Sequence, residues 1–376
     1  MKGYYIKQLL FLSLVSTNLT AQISTVNELF QLPSELSESS GAIIFNNHLI
    51  THNDSGNSNI LYELDLTSGI VVREVVVSGA TNIDWEDITQ DDEYIYVGDI
   101  GNNNGDRLDL KIYKISKNAY LAADEVSAEV ITFYYGDQTD FISSPQNTQW
   151  DAEALSDYDT DNIMLFSKNW VLGITSAYLL PKLPGSYVLT ALPTTLDAQG
   201  LITGATFNKL SSHLVLVGYT NPTLQPFIWI CENFVDDDVF SGSNMMFSMA
   251  NTFSFEQIEA IDYTSDNTYL ITSESFAIGN LSDYAKLIEL ITEDTSLTIQ
   301  DVSFQEKAIF YPNPVGEVLT IKGRQINKVE VYDAKGTLLF KDYTNQIDMS
   351  LFAQGIYHIK VSFTDGHWEI KKVVHN

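Results

Sequence analysis

Along most of the chain, apolar and polar residues alternate in short runs separated by clusters of Asn, Asp, Gly and Ser. Period-two alternation puts one set of side chains on a buried face and predicts strands; the polar clusters predict turns. One paired unit recurs. It reads SSGAIIFNNHLITHND (Ser39–Asp54), DWEDITQDDEYIYVGD (Asp84–Asp99), DAEALSDYDTDNIMLFSK (Asp151–Lys168), ITGATFNKLSSHLVLVGY (Ile202–Tyr219) and IEAIDYTSDNTYLITSE (Ile258–Glu274). Each unit is a predicted hairpin. Its head residue is Ser40, Glu86, Glu153, Thr203 or Glu259, at spacings of 46, 67, 50 and 56 residues. Its tail residue is Asp54, Asp99, Lys168, Tyr219 or Glu274, 13 to 16 residues after the head. Two more strand-like runs fill each interval, such as ILYELDL and IVVREVVV after the first unit. Four strands in a period of roughly 40–60 residues form the pattern of a β-propeller blade. The fold class expected is all-β: a β-propeller, five blades favoured over six, followed by a small C-terminal β-sandwich. Unrelated hairpins would not keep the head-to-tail distance so nearly constant.

In chain order, residues 1–21 are expected to be a secretory signal peptide. Lys2 and Lys7 precede the apolar run LLFLSLV, and Leu19-Thr20-Ala21 precedes Gln22. Residues 22–304 are assigned to the propeller. The run ISTVNELFQL within 22–37 is expected to close the ring by pairing with the last blade, because closure removes exposed edges. The longest interval contains Gly136–Trp150, GDQTDFISSPQNTQW, a polar insertion expected on the face where loops gather. Residues 305–376 change character. After Tyr311-Pro312-Asn313-Pro314 come the runs EVLTIKG, KVEVYDAKGTLLFKD, GIYHIKVSF and WEIKKVVHN, with hairpin turns expected at Asp333–Gly336 and Phe363–Gly366. Eight of the 20 Lys and Arg residues lie between Lys322 and Lys372.

Charge narrows the partners. Forty-nine acidic residues against 20 basic ones give a net charge of −29, which repels nucleic acid and anionic headgroups and offers oxygen ligands to hard cations. Cys231 is the single cysteine, so no intrachain disulfide can form. After the signal, no apolar run is long enough to span a bilayer.

The heads are the strongest candidates for chemistry. If the innermost strands carry them inward, Ser40, Glu86, Glu153, Thr203 and Glu259 form one ring of three carboxylates and two hydroxyls. Three converging carboxylates cannot all ionise unpaired. Calcium would relieve them, since oxygen ligands suit it; so would backbone N–H groups of neighbouring blades. The loop Asp99–Arg107, DIGNNNGDR, could present Asp99, Asn102 and Arg107 to a ligand, Arg107 suiting a phosphate or carboxylate, or be a self-satisfied turn with Arg107 paired to an acid. Lys168, at a tail position among acids, reads as a salt bridge before a catalytic lysine. Glu274 and Asp99 are the remaining weak catalytic candidates, as bases. Asp157–Asn162, DYDTDN, begins like a calcium loop but has Asn162 and Lys168 where Gly and Glu are needed, so it reads as a hairpin turn.

YPNPVGEVLTIKG, VEVYDAKGTLLF, IDMSLFAQGIYHIKV and the terminal KKVV together resemble the type A C-terminal sorting domain of the type IX secretion system. The resemblance implies export by bacteria of the Bacteroidetes type and recognition by the type IX machinery at the outer membrane, with the mature protein secreted or held at the outer-membrane surface. Two resemblances concern the propeller. THNDSGN, NIDWEDI, YVGDIGNN with Arg107, AEAL, TGA and ITSE are similar to secreted bacterial propellers described as phytase-like or of unknown role. The head order of hydroxyl, Glu, Glu, hydroxyl, Glu more thinly resembles the calcium-activated nucleotidases, five-bladed propellers with calcium in the channel. That likeness implies only the five head residues as metal ligands.

Two functions stay open on the sequence. One is an exported binding module with calcium in its channel and a glycan or phosphorylated ligand at its mouth, where Trp85, Trp150 and Trp170 are candidates for stacking. The other is a calcium-dependent phosphoester hydrolase, with Arg107 and Lys168 balancing charge and Asp99 or Glu274 as base.

Overall fold

The computed structural model describes residues 22–279, 281–293, 308–322, 326–333, 336–364 and 368–376. The chain divides into two compact units, residues 1–296 and 297–376. The signal expected over residues 1–21 lies outside the described residues, as does the expected boundary at 304/305.

In the first unit the recurrent hairpins are the inner halves of five sheets. The innermost strands are Ser39–Phe45, Trp85–Gln90, Ala152–Asp157, Leu201–Asn208 and Gln257–Tyr263. Each packs beside the next, and the fifth beside the first, so the sheets form a ring around a channel. Every sheet has four antiparallel strands, and the first two gain a fifth in parallel, Glu125–Ser127 and Gly185–Leu189. Apolar layers fill the space between sheets. Met164, Phe166, Ile202, Leu216 and Trp229 pack together in one, and Tyr96, Ile112, Phe133, Leu165 and Tyr178 in another. The N-terminal strand Gln22–Gln31 pairs antiparallel with Lys286–Glu293 and supplies the outermost strand of the fifth sheet, as expected.

Each innermost strand has one free edge, and its backbone groups must be satisfied across the channel. Polar side chains do this. Asp87 accepts from the Leu155 amide at 2.9 Å, Thr89 from Asp157 at 2.8 Å, Ser156 from Phe207 at 2.7 Å and Asp262 from Ile44 at 2.7 Å. The waist of the channel is therefore a belt of side-chain-to-backbone bonds between successive blades.

At the opposite end every innermost strand breaks register with its partner at the head residue. The breaks fall between Ser39 and Gly41, Trp85 and Ile88, Ala152 and Ala154, Ile202 and Gly204, and Ile258 and Ala260. Each head is thus the extra residue, or one of two, in a β-bulge. A bulge re-aims a side chain out of the normal alternation, and here it does so at the same level in all five blades.

In the second unit one sheet holds Ile309–Tyr311, Val318–Lys322 and Gln346–Asp348; the other orders Leu338–Asp342, Ile326–Tyr332, Gly355–Phe363 and Trp368–His375. Leu319, Ile321, Val331, Ile359, Val361 and Val373 form its core. The Asp333–Gly336 turn forms, with the Gly336 amide on the Asp333 carbonyl at 3.0 Å and Gly336 at a φ of 83°. The tip of the turn expected at Phe363–Gly366 lies outside the described residues, but the strands flanking it pair.

Candidate functional site

A cavity of about 410 Å³ opens at the bulged end of the channel. Four of the five heads line it: Ser40, Glu86, Glu153 and Glu259. So do four of the five tails: Asp54, Lys168, Tyr219 and Glu274. The two ends of each hairpin therefore meet over the channel, the heads from the inner strand and the tails from the next strand out. Asn103, Asn104, Pro145 and Gln146 complete one side. They belong to two loops that are laced together, Ser144 N on Asn104 O at 2.8 Å and Gln146 N on Asn103 O at 2.9 Å. The polar insertion thus lies at the mouth, folded against the Asn-rich loop.

The hydroxyl heads serve the seams between blades. Ser40 Oγ donates to the Glu86 carbonyl at 2.6 Å, and Thr203 Oγ1 donates to the Ile258 carbonyl. Each is followed by a glycine that faces the next inner strand. A Cβ on Gly41 would overlap the backbone of Asp87 and Ile88, and one on Gly204 would overlap Glu259 and Ala260. Ser-Gly and Thr-Gly let the next blade, the one with a glutamate head, approach closely. Thr203 is not among the lining residues.

The carboxylates concentrate on one side. Asp54, Asp84 and Glu86 each offer an oxygen such that all three lie within 4.8 Å of one another. Glu86 is buried and its Oε1 has no hydrogen-bond partner among the described residues. Gly101 closes over this group, and a Cβ there would overlap Glu86 Oε1 and the Asp84 carboxylate. Sequence reasoning places Asp84 at the start of the second unit and Asp54 at the tail of the first, and assigns neither as a ligand. The signal for both was local, an Asp at the tail of the first unit and another two residues before the second head. Their meeting depends on how two blades abut.

Burial first, and neighbouring carboxylates second, push these groups toward their protonated forms. The Asp84 carboxyl is raised to about 7, chiefly by burial and then by Asp54 and Asp151. Glu274 is also raised to about 7, by burial and by Asp54. Glu86, Glu153 and Glu259 are raised well above the ordinary carboxylate range, again by burial first. Lys168 answers part of this charge. Its Nζ lies 2.7 Å from Glu153 Oε2, and although burial works to lower it, the surrounding acids hold the ammonium well above its usual range. Asp151 accepts from the Asn102 amide and from Trp170 Nε1 at 2.7 Å. Glu274 accepts from Gln257 Nε2. One buried ammonium thus stands against several buried carboxylates, and Glu86 keeps one buried oxygen without a hydrogen-bond partner among the described residues.

Asp99 and Arg107 are together but are not among the residues that line the cavity. Arg107 Nη2 lies 2.8 Å from Asp99 Oδ1, its Nη1 donates to the Gly101 carbonyl at 2.8 Å and its Nε lies 3.1 Å from Asp109. Asp99 also accepts from the Asp84 amide at 3.1 Å. The pair holds the Asn-rich loop and the Gly101 lid in shape. Of the three tryptophans, Trp170 lines the mouth; Trp85 is buried against His52, and Trp150 donates to Asp137 at 3.0 Å. The Asp157–Asn162 stretch is a turn, in which Asp159 accepts the Asp161 and Asn162 amides at 2.7 Å each.

Residues 309–376 match the family model described as the secretion system C-terminal sorting domain. The tail is a sorting domain. It carries the four motifs in order on the second unit, and it implies interaction with the type IX secretion machinery; the protein is secreted or displayed at the cell surface. Among the described residues no helix is long and apolar enough to cross a membrane. The sorting domain says nothing about the propeller's ligand. No curated protein matches the chain. Solved structures similar to it include a DUF4623 family protein from Bacteroides eggerthii DSM 20697, 8% identical with a TM-score of 0.38, covering 73% of this chain and 76% of that one. A glucose dehydrogenase is 9% identical with a TM-score of 0.42 over 71% and 99%. CoXyl43, a GH43 β-xylosidase/α-arabinofuranosidase from a compost microbial metagenome, is 9% identical with a TM-score of 0.39 over 85% and 98%. Likeness at this level carries no argument about chemistry.

Proposed function

We propose that the protein is an exported propeller that holds a divalent cation, calcium by chemistry, at the mouth of its channel and recognises an external ligand there. Glu86 carries this reading: a buried carboxylate with an unpartnered Oε1, grouped with Asp54 and Asp84. Oxygen-only donors suit a hard cation, and a second charge is what the uncompensated acids need. Asp54, Asp84 and Glu86 would hold the ion. Of the five heads expected as ligands, Glu153 and Glu259 add negative charge to the same cavity, whereas Ser40 and Thr203 have their hydrogens committed to the blade seams. Export through a signal at residues 1–21, in a bacterium of the Bacteroidetes type, belongs to the same proposal.

Calcium-dependent phosphoester hydrolysis is the second reading. The binding reading is preferred because the cations that would meet a phosphate are engaged, Arg107 by Asp99 and Asp109 and Lys168 by Glu153.

The test is a thermal melt of the protein with calcium and with chelator, beside Glu86→Gln. Calcium at a hundred times its Kd stabilises by about 2.7 kcal/mol, and the substitution abolishes the shift. Absence of a shift in the wild type, or the same shift in the variant, overturns the cation site. Turnover of a generic phosphoester that chelator stops would bring the hydrolase reading forward.

A further inference from the structure

The cavity has two chemically distinct parts. Its floor is acidic, and its single lining ammonium, Lys168, is already paired with Glu153. Its rim is neutral and amide-bearing: Asn103, Asn104 and Gln146 stand on the laced loops, and Trp170 and Tyr219 line the same mouth. The rim loops are held from below, by Gln138 donating to the Gly105 carbonyl at 2.8 Å and by Asn102 donating to the Trp150 carbonyl at 2.9 Å. They form a fixed lip beside an open mouth.

Each ligand class meets this arrangement differently. A phosphate or uronate could reach the cation, but it would then face Glu153, Glu259 and Glu274 with no unpaired side-chain cation among the lining residues, and like charges at short range are strongly repulsive. A purely apolar ligand would bury the amides without partners. A neutral polyhydroxyl compound satisfies both parts. Its hydroxyls donate to carboxylates and exchange hydrogen bonds with amides, which both donate and accept. Two adjacent hydroxyl oxygens can also enter the coordination shell of a calcium ion, which takes six to eight oxygens, more than three carboxylates supply. The volume of about 410 Å³ lies in the range of sites for small ligands or for the end of a longer one.

We infer that the mouth binds a neutral saccharide, its vicinal hydroxyls on the cation held by Asp54, Asp84 and Glu86 and its outer hydroxyls on the amides of Asn103, Asn104 and Gln146. This rests on the cation reading given above. The ligand comes either as a free sugar or as the terminal unit of a polysaccharide; the chemistry at the mouth is the same.

The test uses the full chain and two separate titrations. Calcium is titrated first, by calorimetry. A panel of neutral mono- and oligosaccharides is then titrated with calcium present and with chelator, with a sugar phosphate and a polyamine as opposite-charge controls. The expected result is calcium binding, followed by binding of at least one neutral saccharide that weakens tenfold or more in chelator. Asn104→Ala with Gln146→Ala, both at exposed rim positions, lowers saccharide affinity about tenfold and leaves calcium affinity unchanged. A monosaccharide that binds as tightly as its oligomers identifies a free sugar; binding that needs the oligomer identifies a chain end. Calcium binding without saccharide binding overturns this inference and spares the cation site. Failure of calcium to bind removes the cation reading itself. A sugar phosphate that binds better than the neutral sugar, a polyamine that binds in place of calcium, or a saccharide affinity indifferent to the double substitution each overturns the saccharide assignment.

Discussion

At the waist of the channel, Asp87 accepts the Leu155 amide at 2.9 Å and the Ile88 amide at 2.8 Å. One residue earlier, Glu86 reaches the mouth, and its Oε1 meets no donor among the described residues. Both side chains are buried, both are acidic, and burial pushes both well above the usual carboxylate range. They differ in what their oxygens meet. Waist carboxylates such as Asp87 and Asp262 replace the missing sheet partner of an inner strand, so they belong to the scaffold. Mouth carboxylates converge on one another. A buried acid marks a binding site only when its acceptors are left over after the backbone has been served.

Substitutions at the two levels should separate accordingly. The largest effect is expected from Asp87→Ala, which leaves two buried amides without their acceptor and costs about 3 kcal/mol or more in urea unfolding. Glu86→Gln leaves the calcium-free fold intact and abolishes the metal-dependent stabilisation of about 2.7 kcal/mol. If the two variants lose stability equally in chelator, the distinction between levels fails.

The mouth should also govern the pH response of the calcium-free protein. Asp84 and Glu274 are raised to about 7 by burial and neighbouring acids, above the values near 4 they have when unfolded. The native state then holds more protons than the unfolded one between these limits. Its stability is highest below about pH 4 as far as these groups are concerned, and falls as pH rises through 7. Melts in chelator from pH 5 to 8 should show the decline, and calcium should cancel it at pH 8. A calcium-free protein that gains stability over this range would contradict the assignment. Gly101→Ala, which pushes a methyl group into Glu86 and Asp84, should weaken calcium by about tenfold without changing the waist. Smallest of all is Lys209→Ala. Lys209 pairs with Asp157 at the other end of the channel, but is half exposed, and Asp157 keeps Lys182 at 2.5 Å; the expected loss is under about 1 kcal/mol.

Much of this was legible in the residues. The spacing of Ser40, Glu86, Glu153, Thr203 and Glu259 located the inner strand of every sheet, and the run after Gln22 pointed to ring closure. The pairing of head with tail brought Asp54, Lys168, Tyr219 and Glu274 to the same opening. What could not be read was the relation between blades. Asp54 and Asp84 meet because two sheets abut, and no spacing along one strand encodes that. The bulges were also hidden, since a side chain re-aimed by one extra residue keeps the same place in the sequence. The loop Asp99–Arg107 reads from sequence as either a ligand-presenting loop or a self-satisfied turn; which it is depends on the packing of its flanks, and Arg107 is engaged by Asp99 and Asp109. Ser40 and Thr203 look like ligands in a pattern of oxygen donors; the glycine after each, which admits the neighbouring strand, is what commits them to the seams.

The pairing of Gln22–Gln31 with Lys286–Glu293 joins segments at opposite ends of the propeller's sequence. Closure therefore needs both segments at once, and contacts so distant along the chain form late in folding. Until they form, the fifth sheet lacks its outermost strand, and the outer edge of Lys286–Glu293 is open to pairing with another chain.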